Sequence, residues 1–140
     1  MSTEHNKDVV RRYFEEFVNG RSLDVAEEIL AEDAVDETRV GPEGTGAGRE
    51  DFRVHARWLW ESVEDAKTVL TDLIAEGDRV VAYWRLEGVQ RAEIFGVPAS
   101  GRRFSGVSIS TFTLEDGRIT RYKVLPDRLG VVRQLTGESA

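Results

Sequence analysis

From Asp8 to Val18 the apolar side chains Val9, Val10, Tyr13, Phe14, Phe17 and Val18 recur at steps of three and four residues. That period places them on one stripe of an amphipathic helix. Asn19-Gly20 ends it. Ser22 then precedes a second apolar set, Leu23, Val25, Ala26, Ile29 and Leu30, and its hydroxyl is placed to accept from the free amides that open a short helix. The segment Gly41 to Gly48 concentrates glycine and carries Pro42, so it predicts a loop. A third helix comes next, from Glu50 to Val63, with Phe52, His55, Ala56, Leu59 and Val63 along one side.

Beyond Asp65 the period shifts towards two, in runs rich in β-branched and aromatic residues. Strands are predicted over 68–75, 80–90, 103–113 and 119–125. Glu76-Gly77-Asp78 and Glu115-Asp116-Gly117 are short enough to close antiparallel hairpins, glycine supplying the positive φ of a tight turn. Three helices and then antiparallel strands, without alternation, predict an α+β domain with helices packed on one sheet face. With no repeat or linker, 1–140 reads as one domain with an ordered core of about 7–137. The polar tail Met1 to Lys7, His5 included, falls outside that core.

Composition narrows the chemistry. The 140 residues carry 19 Lys and Arg against 26 Asp and Glu, a net charge of −7, with no basic run. This disfavours nucleic acid and anionic membranes, whose affinity comes from clustered cations. The absence of cysteine removes thiolate nucleophiles, iron–sulfur clusters and cysteine-ligated zinc, and two separated histidines assemble no transition-metal site, so no metal is expected. The N-terminus lacks the apolar core of a signal peptide and no stretch approaches the length of a membrane span, which predicts a cytoplasmic protein.

Gly96-Val97-Pro98, Gly101-Arg102-Arg103-Phe104-Ser105-Gly106, and the ending Asp116-Gly117-Arg118-Ile119, Pro126-Asp127, Arg133-Gln134-Leu135 resemble the SnoaL-like polyketide cyclases of the nuclear-transport-factor-2-like (NTF2-like) superfamily. The resemblance runs from about Lys7 to Gly137. It implies an NTF2-like cone, a curved antiparallel sheet wrapped on helices around a ligand cavity, usually as a homodimer. It further implies intramolecular aldol chemistry without metal or organic cofactor. Superimposing the motifs puts Val124 at the position of the family's acid–base aspartate and Ser110 at that of its partner histidine. Valine carries no proton and an unassisted serine is a poor base, so the usual aldol mechanism is not expected here.

Two residues are the candidates to replace that pair. The resemblance places Asp36 where family members carry a polar side chain pointing into the cavity, and burial against an apolar wall would suit a general base near neutrality. His55 falls on the buried stripe of the third helix and is the natural proton carrier at neutral pH. Strand alternation puts Phe104, Gly106, Ser108, Ser110 and Phe112 on one face and Val107, Ile109, Thr111 and Thr113 on the other. If the resemblance sets the facing, Ser108, Ser110, Tyr122 and Val124 look into the cavity. Tyr13, Phe17, Phe52 and Leu59 are expected to line it from the helices. Trp60 and Trp84 are candidates for stacking on ligand, whereas Trp58 matches a family tryptophan and is expected to pack. Arg85 and Gln90 are lesser candidates for holding a carbonyl oxygen. Asp127 is expected to cap a helical turn over Leu129 to Leu135.

The expected ligand is a small, neutral, hydrophobic molecule of polyketide-like or other cyclic carbonyl type. The leading reading is a cofactor-free enzyme of cyclase or isomerase type with displaced acid–base groups. A non-catalytic small-molecule binder, for which Val124 and Ser110 speak, and a hydroxylase-like relative using molecular oxygen are the alternatives. The outward face of Val107, Ile109 and Thr111 is too apolar to stay wet, which predicts a twofold dimer through it.

Overall fold

In a computed structural model, which describes residues 2–38 and 47–138, the first helix α1 (Thr3–Arg12) starts earlier than the periodicity predicts. The cause is Ser2, whose Oγ accepts from the amide of His5 at 3.1 Å. His5 therefore lies in a helix rather than a loose tail. The chain continues without a break as a π-helical segment, Tyr13–Asn19. Its wider turn lets Tyr13, Phe14, Phe17 and Val18 all bury. The helix ends at Gly20, where a Cβ would come within 2.6 Å of the Glu16 carbonyl oxygen, so only glycine fits.

The second helix is shorter than expected. A 3₁₀ turn (Leu23–Val25) and one turn of α2 (Ala26–Ile29) give way to a strand, β1 (Leu30–Asp36). Ser22 begins this stretch through its backbone, its carbonyl accepting from Val25 N at 3.2 Å, and its side chain makes no cap. The predicted loop over 41–48 lies largely outside the described residues. Helix α3 (Arg49–Ser62) leads directly into β2 (Val63–Glu76), and β3 (Arg79–Gln90), β4 (Arg103–Glu115), β5 (Arg118–Pro126) and α4 (Arg128–Leu135) complete the chain.

The five strands form one sheet in the order β1-β5-β4-β3-β2. Strands β2 to β5 are successive antiparallel neighbours, whereas β1 pairs parallel to β5. The sheet is therefore mixed, not purely antiparallel. Register shifts at Glu64/Lys67, Leu70/Asp72 and Thr113/Leu114 bend the strands around the helices. Gly88 faces the first of these shifts, where a Cβ would sit 2.3 Å from Val63 Cγ1. Asp116 and Gly117 both take positive φ, as a two-residue hairpin turn of this hand requires.

Alternation along β4 is strict, with Phe104, Gly106, Ser108, Ser110, Phe112 and Leu114 buried in turn. The inner face meets Val10, Phe14, Phe17 and Ile29 from the helices to form the main core. A smaller cluster of Val63, Ile94, Phe104, Val131 and Leu135 closes the end near α4. The outer face leaves Tyr83, Val107 and Leu125 to solvent, the last at 73% exposure. Among the described residues, no helix is long and apolar enough to cross a membrane.

Candidate functional site

The parallel pairing of β1 with β5 is what fixes the site. It sets Asp36 level with Tyr122, and the chain beyond is held by three bonds, two of them to β5. Glu37 N donates to the Tyr122 carbonyl at 2.7 Å, Val124 N donates to Thr38 Oγ1 at 3.0 Å, and Thr38 N donates to Asp36 Oδ1 at 3.0 Å. The Asp36 carboxylate is thereby held in a wall where only 4% of the residue is exposed. Helix α3 brings His55 to the same cavity, its ring stacked on Trp58 at 5.5 Å and 16°. Asp36, His55, Leu59, Trp84, Ser108, Tyr122 and Val124 line one cavity of about 300 Å³. That is the lower end of the range for small-molecule sites. Asp36, His55 and Tyr122 supply its polar wall, and Leu59, Ile94, Phe104 and Val131 its apolar one.

Behind the polar wall runs a chain of hydrogen bonds. Trp84 Nε1 donates to Ser110 Oγ at 2.8 Å, and Ser110 Oγ lies 3.1 Å from Tyr122 Oη. Burial pushes the Tyr122 phenol well above its ordinary value, and the negative charge of Asp36 adds to this; the hydroxyls of Ser110 and Tyr13 act in the opposite sense. Tyr122 is thus a neutral hydrogen-bonding group at any physiological pH and not a base.

The sign of that shift bears on stability. The unfolded chain loses its tyrosine proton near pH 10 while the folded chain retains it. Stability is therefore undiminished below about pH 10 and falls as pH rises towards the folded value. Urea midpoints measured between pH 8 and 11 are expected to fall more steeply for the native chain than for Tyr122→Phe. Parallel slopes would contradict this assignment.

Seven candidate residues for the cavity are placed elsewhere. Tyr13, Phe17 and Phe52 are buried in the main core, Tyr13 packing its ring on Phe14, Phe112 and Tyr122. Trp60 turns away because Nε1 donates to the Val18 carbonyl at 3.0 Å, and Arg21 covers its ring. Ser110 lies one layer behind the wall, between Trp84 and Tyr122. Gln90 is fully buried and fastens a loop, its Nε2 donating to the carbonyls of Ala92 and Val97 and its Oε1 accepting from Ser100. Arg85 points to the outer face and pairs with Glu87 at 3.0 Å. Trp58, expected to pack, is 44% exposed at the cavity rim.

The cavity also takes residues that sequence reasoning passed over. Thr38 enters through its two bonds beside Asp36. Phe95 and Arg128 come from the β3–β4 connection and the start of α4, and no periodicity marks either position. Asp127 caps α4 as expected, its Oδ1 accepting from Gly130 N at 3.0 Å. Among the described residues no three His, Asp or Glu side chains converge to hold a metal ion.

A family model described as SnoaL-like polyketide cyclase matches residues 8–135. The chain is 35% identical to the aklanonic acid methyl ester cyclase DauD of Streptomyces sp. (strain C5), over 91% of this chain and 80% of that protein. It is equally identical to the aklanonic acid methyl ester cyclase DnrD of Streptomyces peucetius, over 91% and 88%. Among solved structures, TsrD from Streptomyces laurentii superimposes with a TM-score of 0.83 at 30% identity, covering 96% of this chain and 97% of that one. A SnoaL-like polyketide cyclase from Agrobacterium tumefaciens shares the fold at a TM-score of 0.82 and 18% identity, over 96% and 99%.

Proposed function

This chain belongs to the SnoaL-like polyketide cyclase family, and we propose that it is a cofactor-free acid–base enzyme acting on a hydrophobic polyketide-like or other cyclic carbonyl compound. The observation that carries this is a buried carboxylate, Asp36, and an imidazole, His55, in the wall of one largely apolar cavity. In the reaction we assign, the Asp36 carboxylate takes a proton from the carbon next to a substrate carbonyl, leaving an enolate. That carbon then attacks a second carbonyl carbon of the same molecule, and the oxygen released from its double bond takes a proton from protonated His55. Asp36 ends with one proton more and His55 with one fewer, and exchange with solvent at the open rim by Trp58 restores both. An isomerisation uses the same first step and returns the proton to a different carbon. Tyr122, held neutral, contributes polarity beside Asp36 without exchanging its own proton.

The first step can be tested without the natural substrate. In D₂O the protein is expected to accelerate deuterium entry at the carbon beside the carbonyl of 1-tetralone, a neutral bicyclic ketone, as read by proton NMR. Binding with no acceleration would favour a non-catalytic binder, the reading that Val124 and the fully buried Ser110 support.

The outer sheet face supports the proposed homodimer. Register aligns Tyr83, Ile109 and Leu125 in a row across three adjacent strands, with Val107 beside it. Tyr83, Val107 and Leu125 are each more than a third exposed, and monomers seldom leave such a patch uncovered. Light scattering at micromolar concentration is expected to give twice the chain mass, and Leu125→Glu with Val107→Glu to give the monomer. A native monomer mass would dispose of the dimer.

A further inference from the structure

We infer that Arg128 is an anion-recognition residue of this cavity and that the ligand is an aromatic carboxylic acid, bound with its carboxylate at Arg128 and its carbonyl-bearing part at Asp36 and His55. The inference rests on the catalytic reading of the cavity and adds the chemical class of its substrate. Among the described residues that line the cavity, Arg128 carries the one guanidinium or ammonium group. No carboxylate among the described residues pairs with it. Its neighbour Asp127 is engaged in capping α4 at Gly130 N. In a chain of net charge −7, where many arginines have an acidic partner, a cation kept unpaired at a cavity wall is chemically available.

Its surroundings prepare the fork for a planar anion. The guanidinium carbon lies 4.8 Å from the centroid of the Phe95 ring, over its face. A guanidinium stacked in this way spends its π-face on the ring and leaves its in-plane N–H groups to grip both oxygens of a carboxylate. Phe95 itself is held in place. It sits at the tip of the turn closed by Ile94 N to Val97 O at 3.1 Å and Val97 N to Ile94 O at 2.9 Å, and its φ is +49°. The buried Gln90 anchors that turn from below through Val97 O. A positive φ at a phenylalanine is costly and persists where surroundings enforce it. Gln90 and Phe95 thus act as positioning residues for Arg128.

Placement along β5 and the start of α4 bounds the distance between the two ends of the site. Val124 lies beside Thr38 at the Asp36 end, and Arg128 comes four residues later, at most about 14 Å away along an extended chain. An interval of up to that length leaves room for a fused-ring acid. The methyl ester in the names of the curated relatives is a neutral derivative of such a group and offers Arg128 no charge to pair with.

Titration calorimetry with anthraquinone-2-carboxylate and with its methyl ester tests the assignment, with quenching of tryptophan fluorescence reporting entry beside Trp58 and Trp84. The native chain is expected to bind the acid about tenfold more tightly than the ester, as a charge-assisted fork provides. Arg128→Met should erase the difference, Arg128→Lys should keep part of it, and Arg133→Met, on the exposed side of the same helix, should leave it intact. Equal binding of acid and ester by the native chain, or a preference that survives Arg128→Met, overturns the inference and leaves the cavity reading standing. Failure of both compounds to bind takes the cavity reading down, and the inference with it.

Discussion

Asp36→Asn is expected to slow deuterium exchange into 1-tetralone by about 10² to 10⁴-fold, the scale for removing a positioned general base. The substitution is nearly isosteric, and an asparagine oxygen can still accept from Thr38 N, the bond that fixes the residue at the end of β1. Ligand affinity and the unfolding midpoint should therefore change little while the rate collapses. That split separates chemistry from packing, because a merely structural aspartate would lower stability and rate together. His55→Ala is expected to leave this exchange largely intact and instead to slow ring closure with a full substrate, by about 10²-fold or more, since its assigned proton goes to the attacked carbonyl oxygen. Exchange by Asp36→Asn at the native rate would remove the base from the mechanism and put the binder reading ahead.

The reasons Asp36 was legible and Arg128 was not are physical. Asp36 stands out from its acidic neighbours Glu32, Asp33 and Glu37 because the resemblance puts it where the family carries a polar side chain pointing into the cavity. The strand that carries it is not legible in the sequence. Leu30-Ala-Glu-Asp-Ala-Val-Asp36 is rich in helix formers and is extended only because β5 offers it a free edge, a long-range contact that local propensity does not contain. Strands β3 to β5 were legible because strict alternation and glycine turns are local properties. Parity along the strands separates the two faces, and the resemblance supplies which of them, with Ser108, Tyr122 and Val124, looks into the cavity. The helix stripe misled for Tyr13, Phe17 and Phe52: it identifies buried faces but does not say whether what lies opposite is protein or ligand space. Ser110 and Trp60 failed for a related reason, since the hydrogen bonds that hold them, to Trp84 and to the Val18 carbonyl, join residues distant in sequence. Arg128 and Phe95 lie in connections, where no period exists to read.

Because Ser110 lies behind the cavity wall, restoring the family's acid–base pair is expected to affect its two positions unequally. The resemblance invites Val124→Asp with Ser110→His, yet the two sites differ in the space behind them. Val124 is half-buried with its side chain on the cavity wall, so an aspartate there gains room and solvent. Ser110 is completely buried, and its Oγ is the acceptor for Trp84 Nε1 and the neighbour of Tyr122 Oη. A histidine at that point must displace the Trp84 or Tyr122 ring. Overpacking of this kind costs about 1 to 3 kcal/mol, and an indole N–H or phenol left unsatisfied in the core adds about 1 to 3 kcal/mol. Ser110→His is therefore expected to lower stability by about 2 to 6 kcal/mol, read as a loss of urea midpoint, whereas Val124→Asp should stay within about 1 kcal/mol of the native chain. On aklanonic acid methyl ester, the compound named for two of its relatives, the native chain is expected to show negligible cyclisation and Val124→Asp a slow but measurable rate. The new carboxylate then stands in the cavity near Tyr122 and needs no histidine at 110 to take a proton from carbon. Robust cyclisation of this ester by the native chain would show that Val124 does not lie where the proton is taken, and a stable Ser110→His would mean that the Trp84–Ser110–Tyr122 chain has slack enough to admit an imidazole.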